Sequence, residues 1–145
     1  MTRLKMISIV ILASLTSLAQ ASEFDALINA KKYAEAEKLA NLRIAADPSH
    51  ADALIAKVRI ILAEARQDKF DEAVKLSELC IAKHPQNSEC HEANGNVLAA
   101  KAQRSSVFTA MGLAGKIKEA YLHAVELNPK NYSARGSLMQ FYLIA

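Results

Sequence analysis

The stretch AYLHAVELNPKNYSAR, residues 120–135, decides the fold. An amphipathic run stops at Asn128-Pro129, and apolar spacing resumes within a few residues. Proline has no N–H to donate, and its ring disfavours helix in the residue before it, so one helix ends here and another begins. The chain does this three times, at Pro48, Pro85 and Pro129. Before Pro48 stand Ala36, Leu39, Ala40, Arg43 and Ile44; before Pro85, Ala73, Leu76, Ser77, Cys80 and Ile81. Before Pro129 stand Ile117, Ala120, Tyr121, Ala124 and Val125. All three sets share the offsets 0, 3, 4, 7 and 8, with the proline twelve residues after the first member. One helix face is written three times. Five residues beyond each proline comes a small side chain, Ala53, Cys90 or Ala134. Each break therefore reads as a turn between antiparallel helices whose small residues allow close approach. Ser49, Asn87 and Asn131 are expected to accept from the first amides of the second helix.

Composition agrees. Hydrophobic residues make up 52% of the 145, aromatics 6%, with 4 Gly, 3 Pro and no Trp. Ala, Leu, Glu, Lys and Ile dominate as helix formers, and no alternating run of β-branched residues suggests a strand. An all-α chain is expected, as one domain or part of a longer array.

The pattern resembles the tetratricopeptide repeat, a helix pair of roughly 34 residues with small packing residues and a closing proline. The resemblance rests on Tyr33-Ala34-Glu35-Ala36 with Asp47-Pro48, on Phe70-Asp71-Glu72-Ala73 with His84-Pro85, and on Ile117 through Asn128-Pro129. Gly95 falls where the family often has a glycine in its first helix, and Tyr142 where it often has an aromatic. The resemblance implies antiparallel hairpins stacked as a short right-handed α-solenoid over residues 22–145, about three hairpins plus a terminal helix. The sequence also departs from the pattern. The prolines lie 37 and 44 residues apart, Arg43 replaces a small residue, and the family's first-helix Trp and Leu are mostly missing. The longer third hairpin, around residues 102–116, reads as a lengthened helix or as an elaborated turn near Gly112 and Gly115. The chain stops inside what should be the first helix of a fourth unit, which suggests truncation or a naturally short array.

Residues 1–21 are set apart as a cleaved export signal. Arg3 and Lys5 precede an apolar block, Met6 to Leu18, that is too short to span a bilayer as a helix of about 20 residues. Ala19-Gln20-Ala21 supplies a small-x-small cleavage site, so the mature chain is expected in the periplasm or outside, without stable membrane insertion. Cleavage takes Arg3 and Lys5 from the 18 basic residues, leaving 16 against 15 acidic ones. Such a balance excludes nucleic acid as the expected partner. The charge is uneven, however. Residues 22–92 carry 10 basic and 13 acidic groups, residues 93–145 carry 6 and 2, and no acid occurs from Ala93 to Lys118. That basic stretch is a solvated face or a docking surface for an acidic partner.

Cys80 and Cys90 lie five residues before and after Pro85, at similar heights on helices expected to be antiparallel. In an exported protein they are candidates for a disulfide, though both also fit as small packing residues. Cys80, His84, Cys90 and His91 admit a zinc reading, but adjacent Cys90 and His91 point to different sides of a helix. His50 and His123 have no nucleophile or carboxylate partner in sequence, and no catalytic fingerprint is present. Neither an enzyme nor a cofactor is expected.

The resemblance implies a non-catalytic scaffold or adaptor of the bacterial cell envelope, holding a protein or peptide on the face lined by the first helix of each pair. Lys57, Arg59, Asn94, Asn96 and Arg135 are the candidate contacts, chosen by their place on those helices. The family's carboxylate clamp is not supported: the matching positions are Ile55, Arg59, Ala93, Ser133 and Ser137, and only Arg59 suits an anion. The alternatives are a structural terminal module of a larger envelope assembly, associating through Leu138, Phe141 and Tyr142, or a zinc-binding helical protein; the terminal helix is also a candidate for self-association.

Overall fold

The computed structural model describes residues 23–144, so the expected export signal and its expected cleavage site lie outside the described residues. Helical residues 23–29 (α1) precede α2 (Tyr33–Ala46), α3 (Ala51–Ala63), a single 3-10 turn (Gln67–Lys69) and α4 (Phe70–Lys83). Then come α5 (Ser88–Gln103), α6 (Val107–Leu127) and α7 (Tyr132–Ile144). No strand occurs among the described residues; the protein is all-α. From α2 to α7 each helix packs on the next, and α3 also touches α5, as α5 touches α7.

The three proline turns share one hydrogen-bond pattern. Asp47, His84 and Asn128 each donate their N–H to the carbonyl four residues back, at 2.8, 2.8 and 3.1 Å. Each then accepts from the residue three further on: from His50 at 3.0 Å, Asn87 at 2.9 Å and Asn131 at 2.9 Å. That donating residue, two beyond the proline, also caps the following helix. Asn87 Oδ1 accepts from the Glu89 amide at 2.9 Å and Asn131 Oδ1 from the Ala134 amide at 3.0 Å. In the first turn the cap is His50, whose Nδ1 accepts from the Ala53 amide at 3.4 Å, and not Ser49. Ser49 lies one position too early and turns back onto Asp47, with its amide 2.9 Å and its hydroxyl 2.7 Å from Asp47 Oδ1.

The core is built in layers that share helices. Phe24 of α1 joins Ala40 of α2 and Ala53 and Ala56 of α3. A central cluster takes Leu54, Ile55, Val58 and Ile61 from α3, Phe70 and Ala73 from α4, and Ala93 and Val97 from α5. The last joins Leu98 of α5 to Ile117 and Tyr121 of α6, with Leu138 and Phe141 of α7 packed against it. The small residues five beyond each proline, Ala53, Cys90 and Ala134, have no exposed surface at all. Arg43, where a small residue was expected, reaches across to Glu23 of α1 at 3.5 Å.

The long third hairpin is long because its helices are. α6 runs unbroken through Gly112 and Gly115, with open space where a Cβ would stand on either, and the turn is confined to the residues between α5 and α6. Ser106 caps α6 by accepting from the Thr109 amide at 3.3 Å.

Candidate functional site

The odd-numbered helices line a cleft of about 250 Å³. Asp25 comes from α1, Ile55 and Arg59 from α3, and Glu89, Glu92, Ala93 and Asn96 from α5; Asn131 and Ser133 close the α7 end. Most of its polar groups hold one another. Arg59 Nη1 lies 2.5 Å from Asp25 Oδ1, tying α3 to α1. Glu92 accepts from Asn131 Nδ2 at 2.8 Å and from Ser133 Oγ at 2.5 Å, tying α5 to α7. Among the described residues, no cation or hydrogen-bond donor is paired with the Glu89 carboxylate. Glu89 keeps solvent-exposed surface at the rim of the cleft, yet partial desolvation there, then the neighbouring carboxylates of Asp52, Glu92 and Asp25, push its pKa above the ordinary glutamate value, with Arg59 opposing. Three acids against one arginine leave the cleft negative.

The structure brings only part of the expected contact set together. Arg59 and Asn96 share the cleft, where Asn96 Oδ1 also accepts from the Tyr121 hydroxyl at 2.9 Å. Lys57 does not reach it; its Nζ sits 3.4 Å from Glu72 on α4. Asn94 donates to Ser77 Oγ, also on α4, at 3.0 Å. Arg135 lies over the Tyr132 ring at 5.9 Å and lines a separate apolar groove with Leu138 and Met139. Helical geometry explains the split: residues two apart point to nearly opposite sides, so Lys57 and Asn94 face the partner helix when Arg59 and Asn96 face the cleft. Reasoning from helix membership alone missed Glu89 and Glu92. Both share the Asn96 side of α5 at offsets of seven and four, and that spacing was the available signal.

Cys80 of α4 and Cys90 of α5 form a disulfide with their Cα atoms 5.5 Å apart. The zinc reading thereby lacks its thiolates. Its histidines are also engaged elsewhere: His84 Nε2 is 2.5 Å from the Ser49 carbonyl and His91 Nε2 is 2.9 Å from the Pro85 carbonyl. Among the described residues, no group of three or more His, Cys, Asp or Glu is arranged to hold a metal. On α7, Leu138 and Phe141 pack inward, and the exposed large apolar residues are Tyr132, Met139, Tyr142, Leu143 and Ile144. A second groove, about 380 Å³ and mostly apolar, runs between the α5–α6 hairpin and α7 past Ala110, Ala114, Ile117, Phe141 and Ile144. No helix among the described residues is long and apolar enough to cross a membrane. No protein-family model matches the chain, and no curated protein matches it.

Proposed function

We propose that the protein is a tetratricopeptide-like, non-catalytic binding scaffold of the cell envelope that holds a polypeptide segment bearing a basic side chain in the odd-helix cleft. The single observation that carries this reading is the Glu89 carboxylate, which lines the rim of the cleft without a paired cation, open to an incoming group, with its pKa raised by its surroundings. A Lys or Arg delivered there relieves that repulsion, so the segment gains affinity and selectivity from one contact. Three turns with one hydrogen-bond pattern, and packing that runs from neighbour to neighbour, support the repeat reading.

The test is photo-crosslinking in cells from probes at Arg59 and Asn96, with a probe at Leu143 for comparison, followed by binding of the captured segment in vitro. A discrete adduct from the cleft probes, whose segment contains Lys or Arg, is expected. Glu89→Gln should weaken that segment at least tenfold without lowering Tm at neutral pH, because the folded state disfavours the ionised carboxylate. The sign with pH follows. The contact needs the anion, so affinity is full above the raised pKa and falls as pH drops through it, beginning at higher pH than for an ordinary glutamate. Adducts from Leu143 alone would move the reading to a terminal module of a larger assembly.

A further inference from the structure

Most of the large apolar side chains left exposed lie on α6 and α7. At the start of α6, Phe108 is 88% exposed, Val107 72% and Met111 69%. Core packing gives Phe108 no role: it precedes the buried Ile117 by nine residues, roughly half a turn round the helix. With 21 residues to the 13 of α7, α6 projects about 12 Å beyond it at 1.5 Å per residue. Ile144 shares a groove with Ala110 and Ala114, so the C-terminal turn of α7 lies beside this projection. The exposed Leu143 and Ile144 therefore join Val107, Phe108 and Met111 at one end of the molecule.

Charge follows the same geography. No acidic residue occurs between Ala93 and Lys118, while Lys101, Arg104, Lys116 and Lys118 do. Asp71 of α4, which reaches α5 here, is bound by Lys101 at 2.5 Å. Arg104, Lys116 and Lys118 remain exposed, Arg104 three residues before α6 begins and the two lysines about 12 and 15 Å along it from Phe108.

We infer that this end of the molecule docks on an anionic lipid surface, with Phe108 and Met111 entering the boundary between headgroups and acyl chains. Arg104, Lys116 and Lys118 meet the headgroup charge. A bilayer interface accepts apolar residues that protrude from a convex tip, whereas a protein partner gains most from anchors enclosed in a pocket. Three exposed bases on a stretch that itself carries no acid match an anionic headgroup layer, and each base near such a surface strengthens attachment about fivefold. No helix among the described residues is long and apolar enough to cross a membrane, and the inferred contact is one at the interface. The cleft stays clear, and the inference stands without the proposed function.

The chain contains no Trp, so Phe108→Trp places a single reporter at the tip. Vesicles of mixed phosphatidylglycerol and phosphatidylcholine should shift its emission to the blue, and lipids brominated in the acyl chains should quench it. Pure phosphatidylcholine should act weakly. Arg104→Gln with Lys116→Gln should reduce partitioning on the anionic vesicles by about tenfold or more. Leu42→Trp on α2, also at an exposed position, should not respond. An unshifted Phe108→Trp spectrum with anionic vesicles overturns the inference. So does a shift that grows with protein concentration in the absence of lipid, which would assign the tip to a second copy of the chain.

Discussion

Gly95 has no side chain because Tyr121 occupies the place where one would begin. A Cβ on Gly95 would stand 2.6 Å from Tyr121 Cε1 and 2.7 Å from Cδ1, well inside contact distance. Tyr121 cannot step aside, being 4% exposed with its hydroxyl bound to Asn96. Gly95→Ala should therefore cost about 1–3 kcal/mol as overpacking, even though alanine is the better helix former by about 1 kcal/mol. Denaturant unfolding measures it, and Tyr121→Leu in the same chain should return part of the loss, since residues in contact do not add independently. Equal penalties with and without Tyr121→Leu would show that the ring is not the obstacle. The resemblance marked Gly95 by position alone; the contact gives its reason. The caps show the reverse case. Choosing them by residue type found Asn87 and Asn131 but took Ser49 for His50, because turn register, two residues after each proline, decides which side chain faces the free amides.

At the scale of elements, the α4–α5 hairpin is the only one among the described residues with a covalent tie. Cys80 and Cys90 are 10 residues apart, so the closed loop is short and the bond should add about 2–3 kcal/mol by restricting the unfolded chain. Ala124 and Ala134 fill the corresponding places one hairpin later, both fully buried. The double variant Cys80→Ala, Cys90→Ala should consequently keep the fold and lose about that much stability. Reductant should lower the unfolding midpoint of the parent chain toward that of the variant and leave the variant unmoved. A parent chain indifferent to reductant would show that the bond adds nothing. Other element features left no signal to read. α1 and α3 end in left-handed residues, Lys31 at φ 57° and Ala65 at φ 51°. Lys32 and Arg66 then donate back to Leu27 and Ile61 at 2.9 and 3.1 Å. Such ends usually declare themselves by glycine, and neither does here. In α6 the two glycines that suggested a turn lie inside a helix, because helices on either side of the turn lengthened together and outweighed two weak propensities.

Across the whole molecule, the apolar stripes before each proline made the all-helical arrangement legible, since the same offsets recur and their small members are buried. The cleft was legible only by half. It is assembled from four helices, so its charge depends on which side of each helix faces inward, and membership of the helix alone did not settle that. Burial is also unequal along the chain, and this sets where the fold should open first. Seven residues of α3 and seven of α5 are buried, four of α4, two of α2, and only Ala134 of α7. Helices at the ends of such an array open at low cost where they share little core, so stability should fall from the centre outward. Native-state hydrogen exchange reads this directly. Amides of α3 to α5 should exchange most slowly, near the limit set by global unfolding, and those of α7 and the first turns of α6 fastest. The disulfide sharpens the contrast by holding α4 to α5 during partial opening. Uniform protection from α2 to α7 would mean that the layers unfold as one cooperative unit. Selective slowing at the start of α6 and the end of α7 on adding anionic vesicles would place the lipid contact at the same end that opens most readily alone.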